Sequence, residues 1–348
     1  MKLLLVSVKS QVSYGGIVAW TDRFLQRIDP REMECVLVNT ELVGQRATKL
    51  NARRNLWDEW IRTRRIFRQL KAALQEKPEI AYINTSCGTF GLFRDYMIAS
   101  GIRRAGIRLI THYHCDIPYW IHGGIRKKYL GKLAQLSDCN LVLCQSSRSY
   151  LQNQCGAESV VLPSFVDDVH PGAPKQVRPK AETVLYVGRV EKAKGSRELY
   201  DTALRCPHLR FLVVGEISPD AKKWKVPENV ELLGTLPHDR VLQLMDEADL
   251  FFFPSHSEGC SVALMEAAAK GLPMIATDVG ANRDIVGKAG VVVAVGDVDA
   301  MVQATKTLQP QPLRQEMSRI AMENIQQNFS KDQLNMLFAH IRSLIEKE

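Results

Sequence analysis

Leu250-Phe251-Phe252-Phe253-Pro254-Ser255-His256-Ser257-Glu258-Gly259-Cys260-Ser261-Val262-Ala263-Leu264-Met265-Glu266-Ala267-Ala268-Ala269-Lys270-Gly271 decides how the whole chain is read. The apolar run at 250–253 predicts a buried strand. Small residues then make a turn, and Val262, Leu264, Met265 and Ala268 recur so that one side of a following helix can face a core. A strand, a glycine turn and a helix start together point several backbone N–H groups outward. Such a site attracts anions, phosphates above all. Two carboxylates stand in the same unit, Glu258 at its mouth and Glu266 inside the helix. Carboxylates do not bind phosphate; they accept hydrogen bonds from hydroxyls, which sugars and ribose carry in abundance. A glutamate near a helix start can also serve only as a partner of the helix dipole. Glu266, however, lies among Leu264, Met265, Ala267, Ala268 and Ala269. That setting predicts a carboxylate close to a buried face, where leaving it unpaired is costly. Phosphate-seeking backbone beside paired hydroxyl acceptors points to a nucleotide-sugar.

Outward from this unit, strand-like runs alternate with helix-like stretches. In the first half the predicted strands lie near 3–8, 34–39, 80–84, 108–113, 140–144 and 159–162. In the second they lie near 183–187, 210–214, 230–233, 249–253, 273–277 and 291–294. Runs such as Phe211-Leu212-Val213-Val214 are apolar on both faces, the pattern of parallel strands covered by helices on both sides. With 348 residues the chain has room for two cores. Each half therefore reads as a doubly wound α/β domain, with ligand at the carboxyl ends of the strands. Pro163-Ser164-Phe165-Val166-Asp167, Pro171-Gly172-Ala173-Pro174 and the basic segment from Lys175 to Lys180 punctuate the middle. This gives a first domain over 1–167, a linker over 168–180, a second domain over 181–328 and a last helix over 329–348. The end of the chain, about 313–346, reads as one long helical segment.

Eight cysteines are scattered without a C-x-x-C pair, many in apolar runs, which predicts buried, reduced thiols and a cytoplasmic setting. The first residues, Met1 to Val8, read as a strand rather than a signal peptide, and no run is long and apolar enough to span a membrane. The net charge is +8, concentrated over 53–71 in Arg53, Arg54, Arg62, Arg64, Arg65, Arg68 and Lys71. Leu56, Trp57, Trp60, Ile61 and Phe67 are interleaved with them. Basic residues among tryptophans suit a helix lying on an anionic membrane surface. Nucleic acid is the other usual partner of basic excess; the expectation here is the membrane, with no nucleic acid. Tyr119-Trp120-Ile121-His122 and Arg126-Lys127-Lys128-Tyr129 repeat the pattern in the same half.

Three further motifs carry chemistry. Gly15-Gly16 follows the first strand, where glycine lets backbone approach a ligand closely. Arg189 leaves the strand Leu185-Tyr186-Val187, and Lys194 precedes a helix. Together they suit a diphosphate, arginine forking two oxygens and lysine acting as a point charge. His112 and His114 close the strand at 108–113, and either could orient a sugar hydroxyl or move a proton. No H-E-x-x-H, dense Cys/His cluster, paired aspartates, G-x-S-x-G or Walker loop occurs, so no metal is expected.

In order, these pieces resemble the retaining glycosyltransferases of family GT4. They are Gly15-Gly16, His114, Gly188-Arg189 through Lys194-Gly195, Gly234, Pro254-Ser255 through Glu258-Gly259-(x6)-Glu266-Ala267-(x3)-Gly271-(x)-Pro273, and Asp278-Val279-Gly280. Cys260-Ser261 stand where the family often has Phe-Gly. The resemblance implies a GT-B fold: two Rossmann-like domains facing across a cleft, with the last helix crossing back to the first. It implies that Arg189 and Lys194, with Gly16, hold the donor diphosphate, and that Glu266 takes the ribose hydroxyls. Glu258 and the N–H groups of Gly259, Cys260 and Ser261 are implied to face the transferred sugar, Gly15 and Gly16 the acceptor side. His114 and Glu258 are implied to be catalytic, with no metal or cofactor and with retention by a front-face route. The expected activity is hexose transfer from a nucleotide-sugar, a UDP-sugar first, to a lipid-linked or polysaccharide glycan at the inner face of a membrane. A nucleotide-sugar 2-epimerase of the same fold and a non-catalytic nucleotide-sugar-binding protein are the rival readings.

Overall fold

The computed structural model describes residues 1–10, 16–42, 55–166, 175–330 and 332–346. Gly15, Arg53, Arg54 and residues 168–174 of the expected 168–180 linker lie outside the described residues. By contact the chain divides into two compact units, Met1–Leu162 with Leu334–Glu348, and Pro163–Gln333.

The first unit is a six-stranded parallel sheet in the order β2-β1-β3-β4-β5-β6. Its strands are β1 (Lys2–Ser7), β2 (Glu34–Asn39), β3 (Ile80–Thr85), β4 (Arg108–Tyr113), β5 (Cys139–Val142) and β6 (Val160–Val161). Helices α1 (Gly16–Arg27), α2 (Leu56–Gln75), α3 (Thr89–Arg104), α4 (Ile117–Trp120), α5 (Gly124–Leu136) and α6 (Gln145–Cys155) connect them. Every residue of β3 is buried, as a central parallel strand covered on both faces requires.

The second unit is also a six-stranded parallel sheet, ordered β12-β11-β10-β7-β8-β9. It contains β7 (Thr183–Val187), β8 (Arg210–Val214), β9 (Val230–Gly234), β10 (Leu250–Phe253), β11 (Met274–Thr277) and β12 (Gly290–Val293). Its helices are α7 (Ser196–Arg205), α8 (His238–Glu247), α9 (Val262–Ala269), α10 (Asn282–Val286), α11 (Val298–Thr307) and α12 (Gln311–Asn328). β10 shows why such a run folds as it does. Phe251 and Phe253 stack on one face, 6.0 Å apart, and Phe252 meets Phe211 edge-on at 6.1 Å on the other. In each sheet the chain reverses its winding direction once, between β1 and β3 and between β7 and β10. In open α/β sheets, ligands bind beyond the carboxyl ends of strands at such reversals.

Three expectations are corrected. The long terminal helix is two helices, α12 and α13 (Asp332–Glu346). Phe329 leaves helical geometry at φ −136°, and its carbonyl accepts the Val166 N–H at 3.0 Å. α13 belongs to the first unit, burying Leu334, Leu337 and Ile341, setting Phe338 5.5 Å from Phe24 and pairing Arg342 with Glu32. Second, the cysteines are not all reduced: Cys87 and Cys115 form a disulfide, their Cα atoms 6.5 Å apart, and the other six are thiols. The bridge joins the segments that leave the neighbouring strands β3 and β4, a proximity that wide sequence spacing conceals. Third, the arginines of α2 do not share one surface. Arg62 and Arg65 turn inward, bonding the carbonyls of Thr40 and Glu41. The exposed face of α2 carries Trp57, Trp60 and Ile61, then Arg64, Arg68 and Lys71. Trp57 is 62% exposed, the two indoles stack at 4.9 Å, and the Arg64 guanidinium lies 5.3 Å over Trp60.

Candidate functional site

β7 and β10 are hydrogen-bonded neighbours, so the segments leaving their carboxyl ends run side by side. A 3₁₀ turn, Lys192–Lys194, follows β7 and ends at Gly195, whose φ is +70°. A Cβ on Gly195 would sit 1.9 Å from the Pro254 carbonyl oxygen, so only glycine permits this approach. The His256 N–H then donates to the Ala193 carbonyl at 3.1 Å, and the His256 ring meets Glu198 of α7 at 2.8 Å.

This clamp delivers Lys194 to Glu258. The ammonium lies 2.6 Å from the carboxylate, which also accepts the Ser255 hydroxyl at 2.7 Å. Both side chains are partly buried, at 24% and 14% exposure, so the pair is less screened than a surface pair. The segment carrying Glu258 also rests on the turn after β11. The Ala281 N–H donates to the Gly259 carbonyl at 2.9 Å, and a Cβ on Gly280 would come within 2.2 Å of the Glu258 carbonyl oxygen. Gly188 is held in the same way: its carbonyl oxygen lies 2.0 Å from where a Cβ on Gly215 would be.

Ser261 caps α9, its hydroxyl accepting the Leu264 N–H at 3.3 Å. Leu264, Met265, Ala267 and Ala268 are the buried side of α9. Glu266 lies at its edge and meets His238, the first residue of α8, at 3.0 Å. Cys260 is partly buried beside Met265. Arg189 follows β7 but pairs with Glu191 at 3.0 Å, so the structure brings Lys194 and Glu258 together and leaves Arg189 with another partner.

In the first unit, Gly16 opens α1. His114 follows β4, and its Nε2 lies 2.7 Å from Asn84 Oδ1. Burial, with the neighbouring His112 ring, holds His114 well below the usual histidine range. His112 is fully buried and has both ring nitrogens occupied, Nδ1 by the Tyr82 hydroxyl at 2.8 Å and Nε2 by the Leu162 carbonyl at 3.2 Å. Burial pushes it down to about 3. His112 is thus a neutral strut of the core, and His114 is the histidine with a ring nitrogen to offer.

The sequence reading missed His238, the partner of Glu266, and Ser255, the second partner of Glu258. It also missed Asn84, although a polar residue closing a buried strand was the very signal that singled out His114. A groove of about 600 Å³ lies at the other edge of the second sheet, at the amino ends of β7 and β8. Its Arg178 and Arg210 are paired with Asp249 and Glu231, and it contains none of the candidate residues.

Residues 181–309, within the second unit, match the family described as glycosyl transferases group 1. A glycogen synthase of Mycobacterium tuberculosis is 29% identical over 190 residues, 50% of this chain and 45% of that protein. The chain spans about half the length of the curated relatives it matches. Among solved structures, sucrose-phosphate synthase from Thermosynechococcus elongatus matches at a TM-score of 0.79 with 16% identity over 99% of both chains. Anabaena HepE in complex with UDP and glucose matches at 0.70, again with 16% identity over 99% of both chains. The second unit thus matches the group 1 glycosyl transferase family over residues 181–309, and the chain as a whole has the two-sheet GT-B fold of these solved structures.

Proposed function

We propose that this chain is a retaining glycosyltransferase. It would move a hexose from a UDP-sugar to a glycan acceptor carried on a membrane lipid, without a metal. The observation that carries the reading is the Lys194–Glu258 pair at the winding reversal of the second sheet. A cation and a hydroxyl acceptor held in contact suit a ligand that has a diphosphate next to a sugar. On binding, the diphosphate takes over Lys194, and the released Glu258 accepts a hydroxyl of the hexose. Arg189 exchanges Glu191 for the same diphosphate. Glu266, oriented by His238, takes the ribose hydroxyls, while the backbone of Gly259, Cys260 and Ser261 lies along the sugar and Gly16 serves the phosphate. His114 contacts a sugar hydroxyl. As the bond from the anomeric carbon to the phosphate oxygen breaks, Lys194 and Arg189 stabilise the charge on the leaving diphosphate. The acceptor hydroxyl adds to the same face of that carbon, and its proton passes to the leaving phosphate oxygen. The choice of uridine is supported by the likeness to HepE, whose complex contains UDP and glucose.

A thermal-shift series with nucleoside diphosphates and their sugars, run in chelator, tests the donor. UDP and one UDP-sugar at 100 times Kd should stabilise by about 2.7 kcal/mol. No shift with any nucleotide would overturn the reading. Incubation with the UDP-sugar alone tests the rival epimerase, which would isomerise it.

Among the described residues no helix is long and apolar enough to cross a membrane. The membrane element of the proposal rests on the exposed Trp57, Trp60 and Ile61 beside Arg64, Arg68 and Lys71. The protein should sediment with anionic vesicles at low salt and be released at high salt. Changing Arg64, Arg68 and Lys71 together to Gln should abolish sedimentation. Failure of the unaltered chain to bind at any salt would favour an acceptor in solution.

A further inference from the structure

His114 is the end of a hydrogen-bonded chain that runs back through the first unit. His114 Nε2 is 2.7 Å from Asn84 Oδ1. Asn84 Nδ2 is 2.8 Å from Ser7 Oγ, which is 2.6 Å from Thr21 Oγ1, and Thr21 Oγ1 is 2.7 Å from the Ile17 carbonyl oxygen. Ser7, Asn84 and Thr21 are all buried, so water does not substitute for the links. The chain crosses the winding reversal of the first sheet, from the end of β1 to the end of β3, and finishes in the first turn of α1.

Its last acceptor fixes its direction. A carbonyl oxygen cannot donate, so the Thr21 hydroxyl gives its proton to Ile17. Thr21 Oγ1 must then accept the Ser7 hydroxyl, and Ser7 Oγ must accept from the Asn84 amide. That sets the Asn84 amide with its oxygen toward His114, so the imidazole donates from Nε2–H. The alternative tautomer would set a bare nitrogen against a carbonyl oxygen.

We propose that Asn84 is a positioning residue that holds His114 neutral, with the proton on Nε2, and so leaves Nδ1 as a hydrogen-bond acceptor. The groups around the ring agree. His112 lies against it, ring centroids 4.0 Å apart, and is itself neutral between the Tyr82 hydroxyl and the Leu162 carbonyl. The Trp20 indole meets it edge-on at 5.3 Å. Cys115, next in sequence, is tied in the disulfide, and the carboxylate of Asp116 accepts the Ser146 hydroxyl at 3.3 Å. Among the described residues the ring has no carboxylate partner. His114 therefore receives a sugar hydroxyl at Nδ1 rather than protonating a leaving group. This part rests on the role proposed for His114; the tautomer does not.

Two-bond ¹⁵N–¹H correlation spectra of the imidazoles test it on the unaltered protein, with the His114 signals identified by their loss in His114→Gln. The expected result is an Nε2–H tautomer with no titration from about pH 8 down to about pH 5. In Asn84→Asp a carboxylate accepts the same hydrogen bond and favours the imidazolium, so the His114 midpoint should rise by at least about one pH unit, a tenfold change. Asn84→Leu should cost kcat about tenfold or more and leave UDP affinity within about twofold. An Nδ1–H tautomer in the unaltered protein, or an unmoved midpoint in Asn84→Asp, overturns the inference. If the spectra come out as expected and His114→Gln retains full turnover, the tautomer stands and the sugar-binding role of His114 falls.

Discussion

The two sheets bring polar groups to their winding reversals by opposite means. In the second unit the reversal between β7 and β10 holds a charged pair, Lys194 and Glu258, on segments pressed backbone to backbone at Gly195 and Gly280. In the first unit the reversal between β1 and β3 holds neutral groups, Ser7, Asn84 and His114, in one directed chain. Such a pair can trade partners with an incoming ligand, because the cation keeps an anion and the carboxylate keeps a hydrogen-bond donor. A neutral relay has no such exchange to make; it can only present the one orientation for which it is satisfied. The first arrangement suits capture of a charged ligand, the second suits alignment of an uncharged one.

The largest effect should come from the backbone contact. Gly195→Ala sets a methyl group against the Pro254 carbonyl and forces alanine to φ +70°, so the second unit should lose about 3 kcal/mol or more in urea unfolding. Gly16→Ala, with nothing within 4 Å of its Cβ, should stay within about 1 kcal/mol. Equal effects would mean that the two reversals are built alike after all.

Charge exchange is tested next. Lys194→Ala should weaken UDP by about 1.5–3 kcal/mol, since a charged partner of the phosphate is lost. Glu266→Ala should weaken UDP and the UDP-sugar together. Glu258→Ala should leave UDP almost unchanged and chiefly lower kcat with the full donor. Calorimetry with both ligands decides this; equal loss of UDP affinity in the two glutamate variants would end the division between them.

The smallest effect concerns the neutral side. His112 is pushed down to about 3 when folded and returns to about 6.5 when unfolded. Between these values the unfolded chain binds the extra proton, so stability falls as pH drops through this window and levels off below it. His112→Phe should remove up to about 1.4 kcal/mol per pH unit from that slope. An unchanged slope would mean that His112 is already charged in the folded protein.

Much of this was legible in the sequence, for definable reasons. The twelve described strands lie where apolar runs predict them, most firmly for central strands such as β3 and β10, because a parallel strand buried on both faces has little freedom of composition. Glu258, Lys194 and His114 could be picked out because residues that leave such strands at their carboxyl ends are placed by topology. Side-chain pairing could not be read. Nothing in Arg62 or Arg65 tells that they turn onto Thr40 and Glu41 while Arg64 and Arg68 face out. Nor does spacing show that Cys87 and Cys115 adjoin, or that His238 reaches Glu266. Those depend on how neighbouring strands are registered, which no local pattern contains.

Gly195, Gly215 and Gly280 also set limits on how this chain can diverge. Each lets one backbone touch another where a Cβ would come within 1.9–2.2 Å of a carbonyl oxygen. A duplicated copy drifting toward a different ligand therefore has unequal freedom. Ser257 and Cys260, partly buried on the same segment, carry no such backbone contact at their Cβ, while the three glycines are closed to every other residue. A mutagenesis library aimed at donor choice should accordingly randomise the first group and hold the second constant, and surviving clones should retain all three glycines.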